Sequence, residues 1–221
     1  MKIDILTLFP EMFTEVFGLS IVKRAIEKGK VEINVHNLRD YSTDSYKTVD
    51  DKPYGGGAGM IMKVDIIDKA IDDVRSDKMK VIITDAGGEK FSQKKAVSFS
   101  ACEHLVIICG HYEGIDHRVH EHLADEVISI GDYVLSGGEI PAMVIVDSVV
   151  RLLPDVLGNE KSLDEESHNN EGEAEYPQYT RPEEHKGWKV PEVLMSGNHK
   201  EIEKWRKEQI TKRPSPNEKK E

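Results

Sequence analysis

The chain switches between two rhythms of apolar and polar positions. KIDILTLF at the start is rich in β-formers and runs into Pro10, a residue suited to the first turn of a helix. Residues 10–28 place Met12, Phe13, Val16, Phe17, Ile21, Val22, Ala25 and Ile26 at helical spacing, and Gly29 is a natural stop. VEINVHNL alternates apolar and polar residues, which predicts a strand, and the polar, glycine-rich residues 40–60 predict a long loop. Helical spacing returns in MKVDIIDKAIDDV (62–74). KVIIT (80–84) and HLVIIC (104–109) are short continuous apolar runs, the signature of strands covered on both faces. Helices are predicted over 92–101 and 116–124, a further strand over EVISI (126–130), and a largely apolar, hence buried, helix over 138–154. Strand and helix alternate throughout, which predicts an α/β fold with a parallel sheet and right-handed crossovers.

The polar, acidic residues 159–176 read as an interdomain linker, leaving 1–158 as one domain and 177–221 as a small helical one. The last helix is expected over 198–212, where Asn198 and Glu201 have capping-box spacing and Ile202 and Trp205 read as core. The RPSPNEKKE end is expected to fray.

Net charge is −11, which taken alone argues against a nucleic-acid partner. The charge is uneven. Seven acids stand against Lys161 in 159–176, and eight bases against five acids in 200–221. The second segment is a basic patch or a solvated helix face. No run is apolar enough to span a membrane, and MKIDILTLFPEMF does not resemble a signal peptide, so a cytoplasmic location is expected. The two cysteines, Cys102 and Cys109, make no disulfide framework or metal spacing. Cys109 reads as a small core residue. His111, His117, His120 and His122 lack the partners of a known metal motif and read as a solvated helix face.

Glycine carries the chemistry. Four glycines crowd DDKPYGGGAGM (50–60), which is neither a Walker A loop nor a dinucleotide fingerprint, because no Gly-Lys-Ser/Thr follows and no strand-to-helix turn holds it. CGHYEGIDHR (109–118) and SIGDYVLSGGE (129–139) each follow a predicted strand, and ITDAGG (83–88) makes a third such turn. Ligands of open α/β sheets bind at the carboxyl ends of strands, so three such turns are expected to converge on one pocket. The first strand lacks the glycine turn of a Rossmann-type methyltransferase, so an S-adenosylmethionine site would lie late in the sheet.

DDKPYGGGAGM, CGHYEGIDHRV, SIGDYVLSGGEIPAMVIVDSVVRLLPDVLG, YPQYTRP and VPEVLMSGNHKEIEKWR, in this order, strongly resemble the bacterial tRNA (guanine-N1-)-methyltransferase family, from residue 1 to about residue 213. The resemblance implies a SPOUT-type fold with a deep trefoil knot and a small helical C-terminal domain that grips tRNA. It implies an obligate homodimer, and methylation at N1 of the guanine immediately 3′ of the anticodon (tRNA position 37). The matching cofactor positions are Ile83, Thr84, Asp85 and Ala86; Gly110, Tyr112 and Glu113; Ile130, Gly131, Asp132, Tyr133, Val134 and Leu135; and Ser136, Gly137 and Gly138. Asp50, Tyr54, Gly55, Gly56 and Gly57 match tRNA-side elements, and Arg181 and His199 are expected near tRNA. Arg151 matches an arginine facing the target base.

Guanine N1 bears a proton, so the reaction needs a base near N1 and a donor near O6, where negative charge develops. Arg151 suits O6. The family's catalytic aspartate is replaced in LDEESH (163–168), where Glu166 takes its place as the base and Asp164 and Glu165 are neighbouring alternatives. ITDAGG also departs from the family's Ser-Pro or Pro-Gly turn. The rival readings are an RNA-binding homologue impaired in catalysis and a SPOUT methyltransferase of another RNA. The family's chemistry admits Mg2+, but no ligand cluster in the sequence demands it.

Overall fold

The computed structural model describes residues 1–158 and 175–211. It divides into two compact units, Met1–Gly158 and Asn159–Glu221. In the first, β1 (Lys2–Thr7), β2 (Glu32–Asn37), β5 (Met79–Lys90), β6 (His104–Cys109) and β7 (Glu126–Ser129) form one sheet in the order β2-β1-β6-β5-β7, with every pairing parallel. Residues 50–62 hold a minimal antiparallel pair, β3 (Asp50–Asp51) with β4 (Ile61–Met62), inside the stretch expected to be loop.

Both sheet faces are covered, which explains the continuous apolar runs. Ile3, Ile5, Ile82, Leu105 and Ile107 face a core built with α1 (Thr14–Phe17), α2 (Ser20–Glu27) and α6 (Glu139–Val150), through Phe17, Val22, Ala142, Ile145 and Val149. Leu6, Val81, Ile83, Val106 and Ile108 face the other core, closed by α3 (Val64–Asp73) and α5 (His117–His122) through Ile66, Ile67, Ile71 and Val119. Adjacent residues of a strand point to opposite faces, so each core takes alternate positions. α4 (Gln93–Ser100) begins at Ser92, whose hydroxyl accepts from the Lys95 amide at 3.3 Å.

Two expectations are corrected. Residues 10–28 are not one helix: a 3-10 turn at Pro10–Phe13 leads into α1, and α2 begins only at Ser20, whose φ is +54°. Packing drives this break, because Phe13 and Phe17 must reach the same core as Val22 and Ala25, and one straight helix cannot present all four. Gly18 closes α1 on the Thr14 carbonyl, and a Cβ there would stand 2.8 Å from that oxygen. The second correction concerns ITDAGG. It does not end its strand: β5 runs on to Lys90, with Thr84 and Glu89 both opposite Ile128 and residues 85–88 pushed out as a bulge.

In the second unit β8 (Glu184–His185) pairs with β9 (Trp188–Lys189), followed by α7 (Glu192–Met195) and α8 (His199–Thr211). Ile202 and Trp205 are half-buried, with the Trp205 ring 6.4 Å from Tyr179. Among the described residues no helix is long and apolar enough to cross a membrane.

A polar lock sits across β1, β2 and β6. Asp4, fully buried, takes His36 Nε2 at 2.8 Å, His104 Nε2 at 2.6 Å and Lys2 Nζ at 2.8 Å. Burial pushes its carboxyl toward the neutral form, but the hydrogen bonds from His36, Lys2 and His104 outweigh that and hold it below its ordinary value of 3.8. A depressed carboxylate contributes stability that is present above the ordinary value and lost as pH falls through it. Stability measured by urea unfolding is therefore expected to drop as pH falls below about 4, and Asp4→Asn is expected to cost about 2–4 kcal/mol at pH 7 while flattening that acid slope.

Candidate active site

In a parallel sheet all carboxyl ends lie on one edge, and here three of them meet. The β5 bulge, the turn after β6 and the segment after β7 enclose a cleft of about 210 Å3. It is lined by Thr84, Asp85 and Ala86, by Gly110, His111, Tyr112, Glu113 and Gly114, and by Ile128 through Gly131 and Tyr133 through Gly138, with Pro141.

Direct main-chain contact holds the three segments together. The Gly138 amide donates to Gly110 O at 2.8 Å, and His111 and Gly137 form an antiparallel bridge. The Thr84 hydroxyl lies 3.2 Å from Ile108 O and 3.3 Å from Gly138 O. This crossing admits no side chain. A Cβ on Gly138 would stand 2.1 Å from Thr84 Oγ1, 2.7 Å from Gly110 N and 2.8 Å from Cys109 Cα. Residues 129–133 close on themselves as the Ser129 hydroxyl donates to Gly131 O at 3.0 Å and the Tyr133 amide does the same at 3.0 Å.

Among the described residues the lining carries two acids, Asp85 and Glu113, and neither lysine nor arginine. Such a cleft is unsuited to a polyphosphate and suited to a ligand bearing positive charge, with main-chain groups free for the polar edges of a base or ribose. Cys109 beneath it is fully buried; burial, and then the charge of Glu139, push its thiol well up, so it is a neutral packing group. Among the described residues no group of three His, Cys, Asp or Glu side chains is arranged to hold a metal ion.

The cleft brings together all the expected cofactor positions except two. Ile83 is fully buried in the core, and the Asp132 carboxylate is ion-paired with Lys90 on the exposed rim. Asp50 lies in β3, Tyr54 is fully exposed, and Gly55, Gly56, Gly57 and Gly59 all have positive φ. The end of this loop touches the cleft: Met60 O accepts from the Glu113 amide at 3.0 Å, and the Met62 amide donates to Gly114 O at 3.0 Å. Arg151 caps the end of α6, half-buried and outside the cleft lining. Arg181 and His199 are exposed in the second unit. Glu166, Asp164 and Glu165 lie outside the described residues. Gly114, Ile128, Ser129 and Pro141 line the cleft without having been singled out; His111, expected on a solvated helix face, lies half-buried in the turn after β6 instead, bridged to Gly137. Gly138→Ala is expected to abolish ligand binding in this cleft while leaving the circular-dichroism spectrum of the fold in place, checked by calorimetric titration with S-adenosylhomocysteine.

Comparison with known proteins agrees with this geometry. The family model described as tRNA (Guanine-1)-methyltransferase TrmD matches residues 1–219. A tRNA (guanine-N(1)-)-methyltransferase of Bacillus cereus (strain AH820) is 55% identical over 216 residues, covering 96% of this chain and 88% of the relative. Proteins of the same name from Bacillus anthracis (strain CDC 684 / NRRL 3495) and Bacillus thuringiensis subsp. konkukian (strain 97-27) match with the same identity and coverage. With a matching model over nearly its whole length, and relatives of this identity, the chain belongs to the tRNA (guanine-1)-methyltransferase family.

Proposed function

We propose that this protein transfers the methyl group of S-adenosylmethionine to N1 of the guanine immediately 3′ of the anticodon in tRNA. The observation that carries the reading is the glycine-walled cleft at the carboxyl ends of β5, β6 and β7, with carboxylates and, among the described residues, no lysine or arginine on its walls. The names of the Bacillus relatives support it.

The donor's sulfonium supplies an electrophilic methyl group. The protein's part is to bind, orient and move a proton. Main-chain groups of 84–86, 110–114 and 130–138 hold the donor, and Asp85 and Glu113 favour its positive charge. Glu166 takes the proton from N1, with the neighbouring Asp164 and Glu165 as the alternative candidates for that base. Arg151 meets the charge that develops on O6. Asp50, Tyr54 and Gly55–Gly57 meet the tRNA beside the cleft. Residues 177–221, with Arg181, His199 and the basic residues of 200–213, hold it from a helical C-terminal domain joined through the 159–176 linker.

The same reading includes a SPOUT fold with a trefoil knot. The return of residues 130–138 from the outer strand β7 across the ends of β5 and β6 supports it. It also includes an obligate homodimer, working in the cytoplasm. At about 210 Å3 the cleft falls short of the ~300 Å3 from which small-molecule sites usually begin. Beside it Tyr133, Val134, Leu135, Ile140 and Val144 stand exposed, an apolar surface that a second copy would cover.

Incubation with unmethylated tRNA and methyl-labelled donor tests the reading. Label is expected in tRNA with guanine 3′ of the anticodon and not when adenine replaces it; absence of transfer to either would overturn the activity. Arg151→Ala is expected to lower kcat by about 10²–10³-fold. Glu166→Gln is expected to lose most of the transfer rate with donor affinity kept. Affinity for tRNA is expected to fall steeply with salt, and a flat response would remove the 200–213 patch from the interface.

A further inference from the structure

One buried carboxylate lies beside the cleft without lining it. Glu139, the first residue of α6, is only 2% exposed. Its Oε1 accepts from the buried Thr7 hydroxyl at 2.8 Å, and the start of α6 favours its charge. Its Oε2 faces His111 Nδ1 at 3.9 Å. That nitrogen is buried and has no hydrogen-bond partner among the described residues. An unmatched buried imidazole nitrogen next to a buried carboxylate is costly unless the two meet.

Gly137 lies directly over the pair. A Cβ there would stand 2.4 Å from Glu139 Oε2 and 2.6 Å from His111 Nδ1. The His111 ring in turn packs on Phe9 at 4.9 Å and on the edge of Tyr112 at 5.1 Å, and Tyr112 holds a φ of +60°. His111, Tyr112 and Gly137 all line the cleft. A contact made or lost between Glu139 and His111 therefore moves two of its walls.

We propose that Glu139 and His111 are a positioning pair for the methyl-donor cleft: the buried carboxylate holds a Nδ1-protonated His111, and the ring fixes the 110–114 turn and Gly137 for ligand binding. The inference rests on the donor-site reading above. A closing movement of about 1 Å turns the 3.9 Å approach into a charge-assisted hydrogen bond.

The groups around His111 leave Glu139 as its counter-ion. Phe9 beyond β1, Met62 of β4 and Gly137 bring no charge. Tyr112 and Glu113 share its turn, Cys109 ends β6 beside it, Asp85 lies on the β5 wall and Tyr133 on the opposite segment. Among the described residues His111 is the one lining side chain able to carry positive charge.

The test is calorimetric binding of S-adenosylhomocysteine by the full chain, for the parent, Glu139→Gln, His111→Phe and the double variant. Glu139→Gln keeps an acceptor for Thr7, and His111→Phe keeps a ring against Phe9. Each single variant is expected to bind about tenfold more weakly than the parent, the scale of one charge-assisted hydrogen bond, and the double variant no more weakly than either single one. No binding by the parent would overturn the donor-site reading itself. Single variants that bind like the parent, or losses that add up in the double variant, would overturn the pair.

Discussion

The site depends on one main-chain crossing. Residues 137–138 return from the outer strand and press against the ends of β5 and β6 so closely that the Gly138 amide bonds Gly110 O and no Cβ fits between them. Buried peptide groups must be paired, and here they are paired by segments far apart in sequence. The crossing sets where α6 starts, places Glu139 beneath Gly137, and converts three strand ends into one cleft.

The sheet behind that crossing is what makes it possible. β6 is buried along its whole length, and its neighbours are packed on both faces by helices. A close-packed interior deforms little, so loops attached to it inherit fixed positions. Buried and open carboxylates are divided in their chemistry. Within the sheet Asp4 is satisfied by two histidines and a lysine and serves cohesion. At the carboxyl ends the acids Asp85 and Glu113 face an open cleft, and their charge is left for a ligand.

Periodicity found the five strands of the sheet and most helices because burial on both faces imposes long apolar runs. It missed the break at Gly18–Ser20, since Phe13/Phe17 and Val22/Ala25 each have helical spacing within the pair, and only the step between the pairs marks a change of axis. It also ended β5 at Thr84, because a bulge of four residues with two glycines is written in the same residues as a turn. The cleft was legible as three glycine-bearing segments after strands. His111 was not, because its significance lies in a carboxylate 28 positions away in the chain, as the numbers of His111 and Glu139 give.

Composition and pattern alone determined an α/β chain with a parallel sheet, a glycine-rich edge late in that sheet, and a family resemblance running nearly end to end. These are local properties: alternation, apolar runs and motifs are read within a few residues of one another. Only the tertiary structure decided that the β5 bulge, the turn after β6 and residues 130–138 share one cavity, that no lysine or arginine among the described residues lines it, and that Glu139 lies under Gly137. The reason is physical. Those facts depend on which distant segments approach within hydrogen-bond reach, and that is set by packing of the whole sheet.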